Sequence, residues 1–334
     1  MNSKGKIVNH NQVGGIESYV VDNGMARGSR VAWFNAGSGL RFKVAIDRGL
    51  DIVDAFYNQY SLAWISHNGL TNPRPDSDRG IEWLANFPGG LLTTCGLGHV
   101  GGPEDNRGVH GKYSNFAAEL ESIIQPDLNS ENPYMSICGK VRESSLFGPN
   151  LELKRTISCK LGESVIKIKD VVVNAGNSSV PHMILYHCNF GWPLVDAGTK
   201  IIYKGKCVSR GVVSGDDAIF KGKEDFKVCR EPMESHRGFG EACGFVESQA
   251  DSDGLCRAGL YNEKIGLSAM ISFKKEQLPC LANWQHWGFG EYVTGIEPGT
   301  NYPIGRNAAK ENGSLIILEP GQQREYDLEI SVSS

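Results

Sequence analysis

The sequence predicts a large all-β protein of antiparallel strands, and three observations carry that prediction. Apolar and polar residues alternate over many short runs, turn signals separate those runs, and helical periodicity is scarce. In LRFKVAID, Leu40, Phe42, Val44 and Ile46 fall on one face, with Arg41 and Lys43 opposite. In LELKRTIS, Leu151, Leu153 and Ile157 alternate with Glu152, Lys154 and Thr156, and YDLEISV repeats the pattern with Tyr326, Leu328, Ile330 and Val332. Successive side chains of a strand point to opposite faces, so this period marks one buried and one wet face. VIKIKDVVV, HMILYHC, LSAMISF and LIIL read as further strands, several of them buried on both faces.

Turn chemistry punctuates these runs at Asp47-Arg-Gly49, Asn174-Ala-Gly-Asn177, Ser214-Gly-Asp216, Asp253-Gly254 and Asn312-Gly313. The best helical candidate is short, around DRGIEWLANF, where Trp83, Leu84 and Phe87 could share a face. No linker, low-complexity segment or repeat divides the chain, so residues 1–334 are expected to form a single domain, a large β sandwich or barrel.

A formal net charge of -4, with basic residues scattered among acidic ones, gives no reason to expect nucleic acid or an anionic membrane as partner. The run MNSKGKIVNHNQVGG lacks an apolar core of signal-peptide length, and no segment approaches a membrane span. The cysteines number nine, an odd count, and none are spaced as zinc or redox pairs are. They are expected to be reduced thiols in a cytoplasm. Cys188 adjoins His187, but neighbours on a strand face opposite ways, which argues against a thiolate nucleophile there.

The stretch VTGIEPGTN places an acidic residue, Glu297, between Ile296 and Pro298. Proline holds its predecessor extended, so the direction of Glu297 is largely set. A fixed, partly desolvated carboxylate is either a structural hydrogen-bond acceptor or a general base, and both readings stand. In MILYHCNFGWPL, His187 and Asn189 share a face near a strand end, as a proton donor beside a hydroxyl-binding amide or as a histidine satisfied within a sheet. His110, between valine and glycine in VHGKYSN, either faces a cavity or hydrogen-bonds a carbonyl. His99 is another loop histidine, and His182, beside Pro181, reads as structural.

Trp284 and Trp287 stand upstream of Glu297 beside His286 and Glu291, and their faces suit sugar rings as well as a core. No metal is expected: there is no His-x-His, His-x-x-x-His or His-Glu-x-x-His. Neither glycine-rich stretch, GGIESYVVDNG nor CGLGHVGG, has the strand–helix context of a nucleotide site, and no Gly-x-Ser-x-Gly elbow occurs.

The order of a His-Gly loop, a strand ending in histidine and a late glutamate resembles the aldose 1-epimerase (galactose mutarotase-like) family. NAGNSSVPHMILYHCNFGWPL is similar to that family's segment bearing the catalytic acid, VTGIEPGTN to that bearing the base, and VHGKYSN to its His-Gly loop. DRGLDIVDAFYNQYSLAWIS, GGLLTTCGLGHVGGP and NWQHWGFGEYVTGIEP together resemble a bacterial branch with no settled substrate.

The resemblance covers nearly the whole chain. It implies a β supersandwich with a sugar cleft and interconversion of α and β anomers without a cofactor. By the same resemblance Glu297 is the general base, His187 the general acid, His110 a substrate-oriented histidine and Arg48 a sugar-hydroxyl ligand. Asn189 and Trp284 complete the expected sugar contacts. The loop reads His-Gly-Lys where the galactose enzymes have His-Gly-Gly, and no partner for their hydroxyl-holding aspartate stands out. A related sugar isomerase or epimerase, or a carbohydrate sensor on the same fold, are the alternatives.

Overall fold

A computed structural model describes residues 5–211, 219–220 and 225–334, so the expected turn at Ser214-Gly-Asp216 lies outside the described residues. Strand accounts for 49% of the chain and helix for 8%, with antiparallel sheets throughout, so the all-β expectation holds. Strands β1 (Gly15–Val20), β2 (Arg30–Asn35), β3 (Leu40–Ala45), β4 (Asp51–Tyr57) and β5 (Tyr60–Ser61) form a five-stranded sheet in chain order. There follow β6 (Thr93–Leu97), β7 (Glu119–Ile124), β8 (Tyr134–Ser144), β9 (Asn150–Lys160), β10 (Val165–Asn174) and β11 (Val180–Gly191). Next come β12 (Lys200–Tyr203), β13 (Gly205–Ser209), β14 (Ala242–Ser248), β15 (Leu255–Asn262) and β16 (Leu267–Lys274). The last are β17 (Cys280–Gly288), β18 (Glu291–Gly299), β19 (Ile316–Leu318) and β20 (Gln323–Ser333).

An eight-stranded sheet runs β12-β15-β16-β20-β10-β9-β8-β7. A seven-stranded one runs β13-β14-β17-β18-β11-β19, with β6 added against β11. One apolar cluster draws on all three sheets, including Phe34 and Phe42, Leu153 and Ile330, and Tyr186 and Ile296. Alternating strands bury one face, as in Leu151, Leu153 and Ile157 of β9. In β11 all residues but Pro181 are buried, as its near-continuous apolar run requires.

Two local expectations need correction. The DRGIEWLANF segment forms only a 3-10 turn, Glu82–Asn86, because Phe87 precedes Pro88 and is held extended. Trp83 and Phe87 stack at 4.3 Å, whereas Leu84 stays exposed. A six-residue α-helix, Arg306–Glu311, was not foreseen; it starts after Gly305, whose φ of 95° suits glycine.

The alternation of β9 hides a charge on its buried face. Arg155 has no exposed surface and donates to Asp170 of β10 through two bonds of 2.9 and 2.6 Å. It also donates to Asp51 at 3.0 Å and to the Gly49 carbonyl at 3.2 Å. The Tyr186 hydroxyl of β11 donates to Asp170 at 2.7 Å. Asp51 of β4 further accepts from the Thr94 amide and hydroxyl of β6, at 3.0 and 2.7 Å. One guanidinium thereby joins all three sheets. Removing it alone strands two buried carboxylates, which costs about 3–5 kcal/mol. Urea unfolding of Arg155→Met should show a loss of that order, and a loss under ~1 kcal/mol would mean that the network is dispensable.

Candidate active site

A cleft of about 720 Å³ opens over the seven-stranded sheet, and Glu297, His187, His110, Trp284, Glu241 and Arg210 are among its lining residues. Its floor follows from register. β18 lies between β11 and β17, with Cys188 opposite Ile296 and Leu185 opposite Gly299. That alignment sets His187 across from Glu297, while Ala282 and Trp284 of β17 pair with Glu297 and Gly295 on the other side. His187 Nε2 lies 3.3 Å from Glu297 Oε1. The acid and base that the resemblance implies are therefore neighbours across one ladder.

Gly295 makes room for the carboxylate. A Cβ at this position would sit 2.2 Å from Glu297 Oε1 and 3.2 Å from the Trp284 Cβ. The Glu297 side chain folds back over the glycine two residues earlier on the same face. Among the described residues, neither Glu297 Oε1 nor His187 Nδ1 has a hydrogen-bond partner. Buried polar atoms are rarely left unpaired, and such exceptions call for an explanation.

Burial pushes the Glu297 carboxyl up to about 8, helped by the negative charge of Glu241 and opposed by Arg210. Burial pulls His187 down to about 4, against the Asn189 side chain, which favours the charged ring. Both shifts disfavour charge, because each group has lost its water. Between these values the pair holds one proton, carried by the carboxyl.

His110 has a left-handed φ of 59°, unusual for a residue with a side chain, and is followed by Gly111 at 71°. A Cβ on Gly111 would strike the carbonyls of Gly96 and His99 at 2.6 and 2.8 Å, which accounts for the His-Gly pair. The His110 ring packs 5.0 Å from Trp83 and 5.8 Å from His187. Burial holds it well below its ordinary value, with the neighbouring His187 adding to the shift. Trp284 stands edge-on to His187 at 5.5 Å, and its Nε1 donates to Glu241 at 2.7 Å.

Two expected ligands do not reach the cleft. Arg48 is 1% exposed and donates to the carbonyls of Ser114, Thr71 and Asn86 and to the Thr71 hydroxyl. Its guanidinium is satisfied by loop backbone and braces the turn carrying Trp83 and Phe87. Asn189 is fully buried and donates to the carbonyls of Gly90 and His187. It shares a face with His187, but its amide nitrogen is turned towards backbone.

His99 and His182 are also structural. The former contacts the Gly102 carbonyl and the latter bridges the Leu97 carbonyl and the Tyr326 hydroxyl. Trp287 is wholly buried, whereas His286 and Glu291 do line the cleft. Cys188 is buried, with its thiol pushed up by desolvation, and is no nucleophile.

The sequence reading missed Glu241 and Arg210, ion-paired at 2.6 Å on the cleft wall. It also passed over Trp64 as a lining residue and treated Trp83 and Phe87 only as one face of a helix. Among the described residues no cluster of three or more His, Cys, Asp or Glu could hold a metal ion, and no helix is long and apolar enough to cross a membrane.

Comparison with known proteins places this geometry in context. Residues 26–332 match the family described as a domain of unknown function, DUF4432. No curated protein matches the sequence. A Klebsiella pneumoniae structure, provisionally assigned as an aldose 1-epimerase, is 23% identical with a TM-score of 0.84, over 97% of this chain and 86% of that one. A galactose mutarotase-like protein from Clostridium acetobutylicum is 13% identical with a TM-score of 0.61, over 96% and 98% of the two chains. A galactose 1-epimerase from Lactobacillus acidophilus is 11% identical with a TM-score of 0.60, over 95% and 98%. At these identities the likeness is one of fold.

The carboxyl of Glu297 carries a stability signature. It titrates near 4.5 in an unfolded chain and about 8 when folded. The folded state then holds a proton that the unfolded state has lost, so its contribution falls as pH rises from 4.5 to about 8. Glu297→Gln lacks that loss and should be the more stable protein at pH ~9, by on the order of a few kcal/mol. The advantage should vanish near pH ~4. Melting temperatures of both proteins across this range check it, and a gap independent of pH would refute the buried-carboxyl assignment.

Proposed function

The chain belongs to the DUF4432 family, and from that premise we propose that it is an aldose 1-epimerase, interconverting the α and β anomers of a sugar without a cofactor. The observation that carries this reading is the buried Glu297–His187 contact at 3.3 Å. Ring opening of a pyranose takes a proton from the O1 hydroxyl and gives one to O5. Both oxygens are bonded to C1, so the two proton-handling groups belong side by side. The reaction neither gains nor loses a proton overall, and the pair holds one.

In this mechanism a sugar hydroxyl donates to Glu297 and restores part of its lost hydration, which favours the carboxylate and leaves the proton on His187. Glu297 then accepts the O1 proton as His187 delivers its own to O5, and the C1–O5 bond breaks. The product is the open-chain aldehyde, with the carboxyl protonated and the imidazole neutral. Rotation about C1–C2 turns the other face of the carbonyl to O5. Closure returns both protons and yields the opposite anomer. Trp284 offers an aromatic face to the C–H side of the ring, and Glu241 with Arg210 offers hydroxyl partners.

Saturation-transfer NMR on a panel of aldoses should show enzyme-dependent exchange between anomers. Glu297→Gln and His187→Asn should each lose about a hundred- to ten-thousand-fold in turnover, since each removes one proton-transfer partner. The double variant should lose little more, because the groups act as a unit. Near-normal exchange in Glu297→Gln would sink the assignment.

Gly295→Ala tests the mounting of the base. Its methyl group would occupy the space of the carboxylate, so turnover should fall while the circular dichroism spectrum stays that of the wild type. Retained turnover would show that Glu297 does not act from this pose. The profile of kcat/KM against pH should be flat between the two values of the pair, about 4 and about 8, and fall on either side. A limb near neutrality would contradict it.

A further inference from the structure

The cleft is unevenly furnished, and the unevenness bears on the sugar it accepts. Four rings contact His187: Trp83 at 6.4 Å, Phe87 at 5.3 Å, Trp284 at 5.5 Å and His110 at 5.8 Å. Three of the four present carbon. Trp64 extends the wall, 5.9 Å from Phe87 and 6.2 Å from Trp284. Trp83 and Phe87 are buried, held by the turn that Arg48 braces through the Asn86 carbonyl. Polar partners come from the segments flanking β13 and β14, where Glu241 binds Arg210 and Trp284 Nε1.

Charge is uneven too. Glu241, Glu291 and Glu297 line the cleft, no described lysine does, and the Arg210 guanidinium is ion-paired to Glu241. A phosphate or carboxylate on the substrate would meet acidic groups in a desolvated setting.

These observations become a statement about substrate through the ring-opening reading above, on which the inference rests. His187 serves O5, and C5 is bonded to O5, so the substituent on C5 lies beside the His187 ring and its carbon wall. A hydroxymethyl group placed there exchanges water for carbon and leaves its hydroxyl poorly partnered. A methyl group gains by the same burial. We propose that the aromatic wall of Trp64, Trp83 and Phe87 beside His187 selects neutral sugars with an apolar C5 substituent, the 6-deoxyhexoses, over hexoses and anionic sugars.

The test compares matched series: 6-deoxygalactose, galactose and galacturonate, then 6-deoxyglucose, glucose and glucuronate. Anomer exchange gives kcat/KM for each, and calorimetry on the catalytically impaired Glu297→Gln protein gives affinity. The 6-deoxy member should exceed its parent by about ten- to a hundredfold in at least one series, the scale on which an apolar pocket discriminates a hydroxyl. The uronate should fall below the parent. Exchange with the parent or the uronate equal or faster in both series overturns the substrate class and leaves the ring-opening reading intact. Tighter binding of the 6-deoxy sugar without exchange by the wild type upholds the class and removes the ring-opening reading. Absence of both exchange and preferential binding overturns the two together.

Discussion

The buried guanidinium of Arg155 is the constraint on which the arrangement of sheets depends. Its carboxylate acceptors belong to β4 and β10, and Asp170 in turn takes the hydroxyl of Tyr186 on β11. A charge with no access to water tolerates little displacement of its partners, because each lost bond leaves another charge unsolvated. The three sheets are thereby fixed relative to one another by hydrogen bonds with direction, which apolar packing alone does not supply. Tyr186 adjoins His187 in sequence and points the opposite way. The knot therefore lies immediately behind the strand carrying one half of the candidate acid–base pair.

In front of that strand, antiparallel register does what a flexible loop could not. The two candidate side chains, His187 and Glu297, stand opposite each other on hydrogen-bonded neighbours, so their separation is set by the ladder. A third strand contributes Trp284, and a left-handed loop residue, His110, closes the group from beyond the sheet. Burial then shifts the carboxyl and the imidazole towards their neutral forms, which favours a single shared proton over an ion pair.

Much of this was legible in the sequence, for identifiable reasons. Strands declared themselves because each buries one face, and Glu297 because proline fixed its direction between apolar neighbours. His110 was readable from the glycine after it, and the structure places both residues in the cleft. Arg155 was not readable: it sits in phase with Leu153 and Ile157, but its acceptors Asp51 and Asp170 lie on other strands. Arg48 misled for a related reason, since the carbonyls of Thr71, Asn86 and Ser114 that consume its donors are distant in sequence. Asn189 does share a face with His187. Every position at that end of β11 is buried, however, so a common face does not mean a common cavity. Glu241 and Arg210 flank β14 and β13, and only the sheet order β13-β14-β17-β18 carries them to Glu297.

The hole at Gly295 has a consequence for descent. A glutamate whose carboxylate occupies the space of a missing side chain cannot be inherited independently of that absence. Glycine and glutamate, two positions apart, form one heritable unit, and any constraint on the glutamate acts on both. A lineage that kept the sheet but lost the glutamate would be released from the vacancy. Side chains should accumulate at position 295 there, since glycine inside a strand is otherwise a cost. Across homologous sequences, the residue at 295 should therefore follow the residue at 297, with glycine beside glutamate and a side chain where the glutamate is gone.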